Sequence, residues 1–145
     1  MEQGTSYGSI DFDSEERFTR LGRELGVTAF GLNAIALASG QRLRIHRHAR
    51  QEEVYVVVAG TLSLAVEGDE RSLKVGDVAR VAPGIRRQLI NRERDRRCVV
   101  IAIGAAGEHD SRDGQAFTSW DEQTGRPPQE VPLPPDLSLP PDLSV

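Results

Sequence analysis

The sequence predicts an all-β domain, an antiparallel β-barrel or double-sheet jelly roll, with a short N-terminal helix and a Pro-rich C-terminal tail. Three observations lead there. From Val27 to Ile103 seven or eight short apolar or alternating runs follow one another, with turn signals at Gly60, Gly68-Asp69 and Gly76-Asp77. A short segment near the N-terminus has helical periodicity. Seven of the eight prolines fall in residues 127–145, a density that prevents helix and central strand. The 145 residues suit one domain. Its expected parts are an arm and helix over 1–29, a barrel over 30–104, an extension over 105–126 and the tail over 127–145.

Residues 1–12 are polar and Gly-rich and read as a loose arm. The helix is expected to start at Asp13, with Asp13 and Glu16 in a capping arrangement and Phe18, Leu21 and Leu25 forming one apolar stripe. Gly26 suits its stop. Strands are then expected over Val27–Ala38, Arg42–His48, Glu53–Ala59, Thr61–Glu67, Arg71–Val75, Val78–Val81, Arg86–Asn91 and Cys98–Ile103. In the second of these, Leu43 and Ile45 occupy one face, and Arg42, Arg44, His46 and His48 the other. The alternating charges of Arg92–Arg97 read as a solvated hairpin loop. Phe117 and Trp120 are expected to pack the extension onto the barrel or onto a partner. The tail repeats itself, Leu133–Ser138 recurring as Leu139–Ser144, and reads as polyproline II or disorder, or as a strap on a neighbouring subunit.

The chemistry concentrates in Gly40–Gly60. His46 and His48 stand two apart on a strand, so both imidazoles face one point, and Glu53 returns on the next strand. Two imidazoles and a carboxylate converging in this way make a first shell for Zn, Fe, Mn or Ni. The spacing is Gly40, five residues, His46-x-His48, four residues, Glu53, six residues, Gly60. It resembles the first motif of the cupins at every defined position. A second cupin motif would read Gly, five residues, Pro-x-Gly, two residues, His, three residues, Asn. Here Gly76, Gly84 and Asn91 fall in register, Ala82 replaces the proline, and Arg87 replaces the metal-binding histidine.

A guanidinium offers no lone pair to a metal, and its fixed charge opposes a cation nearby. Three readings follow. A metal is held by His46, His48 and Glu53 while Arg87 turns away; or the metal is lost and Arg87 pairs with Glu53; or Arg87, with Arg86, clamps an anionic ligand. Adjacent strand residues face opposite ways, and the motif register places Arg87 inward. Arg44, on the ligand face, is a further substrate-binding candidate, and Tyr55, sharing the parity of Glu53, a candidate proton or hydrogen-bond donor. His109 could in principle supply a fourth ligand.

The resemblance covers residues 30–104. It implies a small β-barrel, a homodimer and either of two functions. One is a metal-dependent oxygenase, isomerase or lyase acting on a small polar or anionic molecule. The other is a binding or sensor barrel without chemistry. The formal net charge of −4 argues against a dedicated nucleic-acid binder. No run approaches a membrane span, no secretory leader is evident, and a cytoplasmic location is expected. Cys98, the single cysteine, sits in an apolar run and reads as a buried inert thiol.

Overall fold

The computed structural model describes residues 4–104 and 113–139. Two five-stranded antiparallel sheets enclose one core. The first takes β1 (Phe18–Thr19), β2 (Gly31–Leu37), β9 (Cys98–Gly104), β4 (Glu53–Ala59) and β7 (Val78–Val81), in that order. The second takes β10 (Gly114–Phe117), β3 (Ile45–His48), β8 (Arg87–Ile90), β5 (Leu62–Val66) and β6 (Asp69–Leu73). Ile35, Leu37, Tyr55, Val57, Val100 and Ala102 from the first sheet meet Leu62, Leu64, Leu73 and Leu89 from the second. Burying each such aliphatic side chain contributes roughly 1.5–3 kcal/mol. Among the described residues no helix is long and apolar enough to cross a membrane.

The single-core β architecture agrees with expectation, and several boundaries move. The helix α1 is only Leu21–Leu25. Asp13 does not cap it: its N–H donates to Asp11 Oδ1 (3.0 Å) in a local turn. Phe18 and Thr19 pair instead with Ile35 and Ala34 of β2, so tertiary pairing overrides the helical stripe. Gly26 does end the helix, at φ 80°. Residues 92–97 form no hairpin, because β8 and β9 lie in different sheets. They cross from one sheet to the other, and buried Asn91 holds the crossing by donating to the Leu37 and Arg96 carbonyls.

The β5–β6 turn is Glu67–Gly68, one residue earlier than expected. Both have positive φ, 49° and 89°, as a two-residue hairpin turn matching strand twist requires. Strand β3 begins at Ile45 and not Arg42, so the alternation that placed Arg44 beside the histidines does not extend that far. Leu43 packs against the core and Arg44 reaches the C-terminal segment.

That segment supplies β10, unexpected from sequence, which pairs with β3 along Gly114–Phe117. Phe117 is buried beneath the guanidinium groups of Arg47 and Arg86, and Arg86 also covers Trp120. The beginning of the tail lies on its own barrel. Val131 is buried, Arg44 donates to its carbonyl, Arg42 donates to the Pro135 carbonyl (3.1 Å), and Leu137 N–H donates to Gly40 O (2.8 Å). Arg17 pairs with Asp136 at 3.3 Å. Cys98 is buried, and burial pushes its thiol up to about 12, as suits an inert packing residue.

Candidate metal centre

Three strands deliver the site to one end of the barrel. His46 and His48 come from β3 with the same parity, and Glu53 is the first residue of β4. The short connection between them is pinned by Asp113, whose carboxylate accepts the Arg50 and Gln51 backbone N–H groups at 3.0–3.2 Å. Strand β8 adds Arg87 directly opposite His46. The β7–β8 turn carries Pro83 followed by Gly84 at φ 81°, suiting a type II turn, and Gly84 N–H donates to His48 O at 2.7 Å.

His46, His48 and Glu53 converge: one ligand atom from each lies within 4.8 Å of the others. His46 Nδ1 sits 3.0 Å from the Arg44 carbonyl. A carbonyl only accepts, so Nδ1 carries the proton and Nε2 keeps its lone pair for a ligand. Burial lowers the His46 pKa to about 4, so the ring is neutral near pH 7. His48 Nε2 lies 3.5 Å from Glu53 Oε1. Burial pushes the Glu53 carboxyl up, but the bonds from His48 and Tyr55 outweigh it and hold the group down at about 2. A neutral His46 imidazole and an ionised Glu53 carboxylate are protonation states that a divalent transition metal needs. The donor set therefore fits the metal expected from sequence.

Arg87 faces inward and is 0% exposed, while Arg86 faces out and pairs with Glu67 at 2.8 Å. Arg87 Nη1 donates to the Ile85 carbonyl (2.7 Å) and Nε to the Tyr55 hydroxyl (3.2 Å); Nη2 lies 3.5 Å from Glu53 Oε1. Tyr55 in turn donates to Glu53 Oε1 at 2.5 Å. Burial, then the Glu53 charge, raises the Tyr55 pKa well above its ordinary value. The hydroxyl stays protonated and acts as a donor.

His46, His48, Glu53, Tyr55 and Arg87 thus form one cluster. Arg44 lies outside it, its guanidinium committed to Val131. His109 lies outside the described residues. Asp113 was not singled out from sequence; it lies outside both motifs, and only the fold brings it to the β3–β4 connection.

A cupin domain model matches residues 34–104. A sugar phosphate isomerase of the cupin superfamily from Silicibacter pomeroyi shares 27% identity and a TM-score of 0.60, over 70% of this chain and 65% of that one. The chain therefore spans slightly less than two thirds of that protein. A cupin protein from Bacteroides fragilis has 20% identity and a TM-score of 0.61, over 84% and 98% of the two chains. A Cupin 2 conserved barrel domain protein from Salinispora arenicola has 27% identity and a TM-score of 0.55, over 66% and 80%. No curated protein matches in sequence. With both motif glycines, the His-x-His pair and Glu53 at one barrel mouth, and the domain match spanning them, the chain belongs to the cupin superfamily.

Proposed function

We propose that this cupin is a metal-dependent enzyme for a small anionic molecule, an isomerase acting on a sugar phosphate or a similar hydroxy-carbonyl anion. The convergence of His46, His48 and Glu53 within 4.8 Å carries the reading. The isomerase of S. pomeroyi supports the reaction class. Oxygenase and lyase chemistry would use the same centre.

His46 and His48 would hold the ion through Nε2, with Glu53 as the carboxylate ligand. A divalent ion there supplies Lewis acidity to a bound carbonyl oxygen. Arg87 fixes Glu53 and Tyr55 and gives the barrel mouth a positive charge that favours an anion. Tyr55, protonated at neutral pH, supplies a hydrogen bond or a proton to oxygen. The buried core beneath keeps one side of the site dry.

The pairing of Arg87 with Glu53 favours a second reading, a binding barrel without metal. Elemental analysis of untagged protein decides between them, with the His46→Ala/His48→Ala double variant as control. About one transition metal per chain, lost in the variant, supports the enzyme, and a panel of aldose and ketose phosphates then tests isomerisation. No metal after anaerobic reconstitution with Fe(II), Mn, Ni and Zn leaves the binding barrel.

A further inference from the structure

The tail docks through a short element that the sequence contains twice. Residues 133–138 read Leu-Pro-Pro-Asp-Leu-Ser, and residues 139–144 repeat all six. The first copy lies against a cradle formed by Arg17, Gly40 and Arg42. Leu137 N–H donates to the Gly40 carbonyl (2.8 Å), and the Arg42 guanidinium donates to the Pro135 carbonyl (3.1 Å). Arg17 Nη2 reaches Asp136 Oδ1 at 3.3 Å, while its Nη1 donates to the Arg42 carbonyl (3.1 Å). Arg17 is therefore tied to the cradle as well as to the tail. The approach at Gly40 is close: its φ is 80°, and a Cβ there would lie 2.9 Å from the Leu137 carbonyl oxygen.

Each contact matches a feature of the element. The two prolines keep the chain extended and present carbonyls without N–H groups. The leucine that follows supplies the N–H that Gly40 accepts. The aspartate supplies the charge that Arg17 pairs. That ion pair is partly exposed and adds little affinity by itself, so it selects an acidic residue more than it drives docking. The cradle thus fits an extended, acidic, proline-containing segment. The same features recur in the second copy as Pro140, Pro141, Asp142 and Leu143. Residues 140–145 lie outside the described residues, and their likeness to the first copy is one of sequence. Polyproline II has three residues per turn, so a displacement of six is two full turns and returns the same groups to the same face.

We propose that Arg17, Gly40 and Arg42 form a binding site for this element, and that either copy in the chain occupies it, one at a time. The two docked states differ in the length of chain leading from Val131, which is buried on the barrel. Leu137 follows Val131 by six positions and Leu143 by twelve. Doubling a connection lowers its probability of closing by about threefold. The first copy is then docked about three times as often as the second, and roughly one chain in four has the first copy released.

Amide hydrogen exchange at Leu137 and Leu143, followed by NMR on full-length, 15N-labelled protein, tests this. Leu143→Pro removes the N–H of the second copy and leaves the first intact, and Leu137→Pro does the converse. Neither opposes an extended chain. Competition makes the effects reciprocal. Leu143→Pro is expected to raise the protection of Leu137 above the ceiling of about fourfold that the competing copy imposes. Leu137→Pro is expected to bring Leu143 from almost no protection to about one third of what Leu137 gains in Leu143→Pro. If Leu143→Pro leaves Leu137 unchanged, and Leu143 in Leu137→Pro exchanges as in a free peptide of residues 139–145, the site takes one copy only and the proposal is overturned. Protection at Leu143 that falls on tenfold dilution would place the second copy on a neighbouring chain and overturn docking within one chain. Should Leu137→Pro disturb the barrel, Asp136→Arg reverses the charge facing Arg17 and keeps every backbone N–H. It is expected to move protection from Leu137 to Leu143, and no transfer overturns the proposal.

Discussion

Three groups hold the buried Arg87 guanidinium: the Ile85 carbonyl, the Tyr55 hydroxyl and the Glu53 carboxylate. Removing it by Arg87→Ala strands an ionised carboxylate beside a buried phenol and is expected to cost about 3–5 kcal/mol in urea unfolding. Arg87→His has a different outcome. It removes a positive charge beside the ligand set and offers a lone pair from the position opposite His46. Metal affinity, measured by chelator competition, is expected to rise by about tenfold or more. Unchanged affinity in folded protein would mean that the Arg87 charge is already neutralised by Glu53. The two ligands also set an acid limit on the metal-free protein. His46 binds its proton only near pH 4 when folded, against 6.5 for the free side chain. The unfolded chain therefore binds more protons between those values, and stability falls as pH drops through that window. Glu53, lowered from 4.5 to about 2, contributes fully above 4.5 and loses that contribution as pH falls from 4.5 towards 2. The urea midpoint is expected to decline from pH 7 to 4, and His46→Gln to flatten the part above 4.5.

At the scale of the element, turns decide where strands end, and their glycines are not equivalent. Gly60 has φ 69°, and a Cβ there would lie 2.1 Å from the Arg97 carbonyl oxygen, a backbone atom. Gly68 has φ 89° with open space around it. Gly60→Ala is expected to cost about 3 kcal/mol or more, because the crossing into β9 must move. Gly68→Ala should cost only the left-handed penalty of about 1–2 kcal/mol. Equal urea midpoints for the two variants would contradict the close approach. This pattern also explains what was legible in sequence. Period-two alternation placed His46 and His48 together and set Arg86 and Arg87 on opposite faces, because that information is local to each strand, while the register of the cupin motif singled out Arg87 as the inward one. The motif glycines marked turns for the same reason. Strands β1 and β10 were not legible, since each is stabilised by pairing with distant residues and not by its own pattern. Arg44 was misplaced because alternation was extended through Arg42–Arg44, where the chain is no longer a strand. The docking of Val131 and Leu137 depends on a surface that exists only after the barrel closes.

Across the whole molecule, the matched cupin domain ends at Gly104, yet residues 113–137 hold the ligand strand from outside. Strand β10 pairs with it, Asp113 grips its loop, and Val131 restrains Arg44, whose carbonyl orients His46. Metal binding and global stability should therefore be linked through the folded arrangement of both segments. A ligand that binds only the folded chain stabilises it by RT ln(1 + [L]/Kd), about 2.7 kcal/mol at one hundred times Kd. For a domain of this length that corresponds to a rise in Tm of roughly 5–10 °C. The expected outcome is such a rise on adding Zn, Mn, Ni or Fe(II) to metal-free protein, followed by differential scanning calorimetry. The His46→Ala/His48→Ala variant should show no rise. Charge alone would not reproduce that difference, since the net charge of −4 is shared by both proteins while their histidines are neutral. A rise that survives the double substitution would locate binding elsewhere and point to His109, the one remaining histidine.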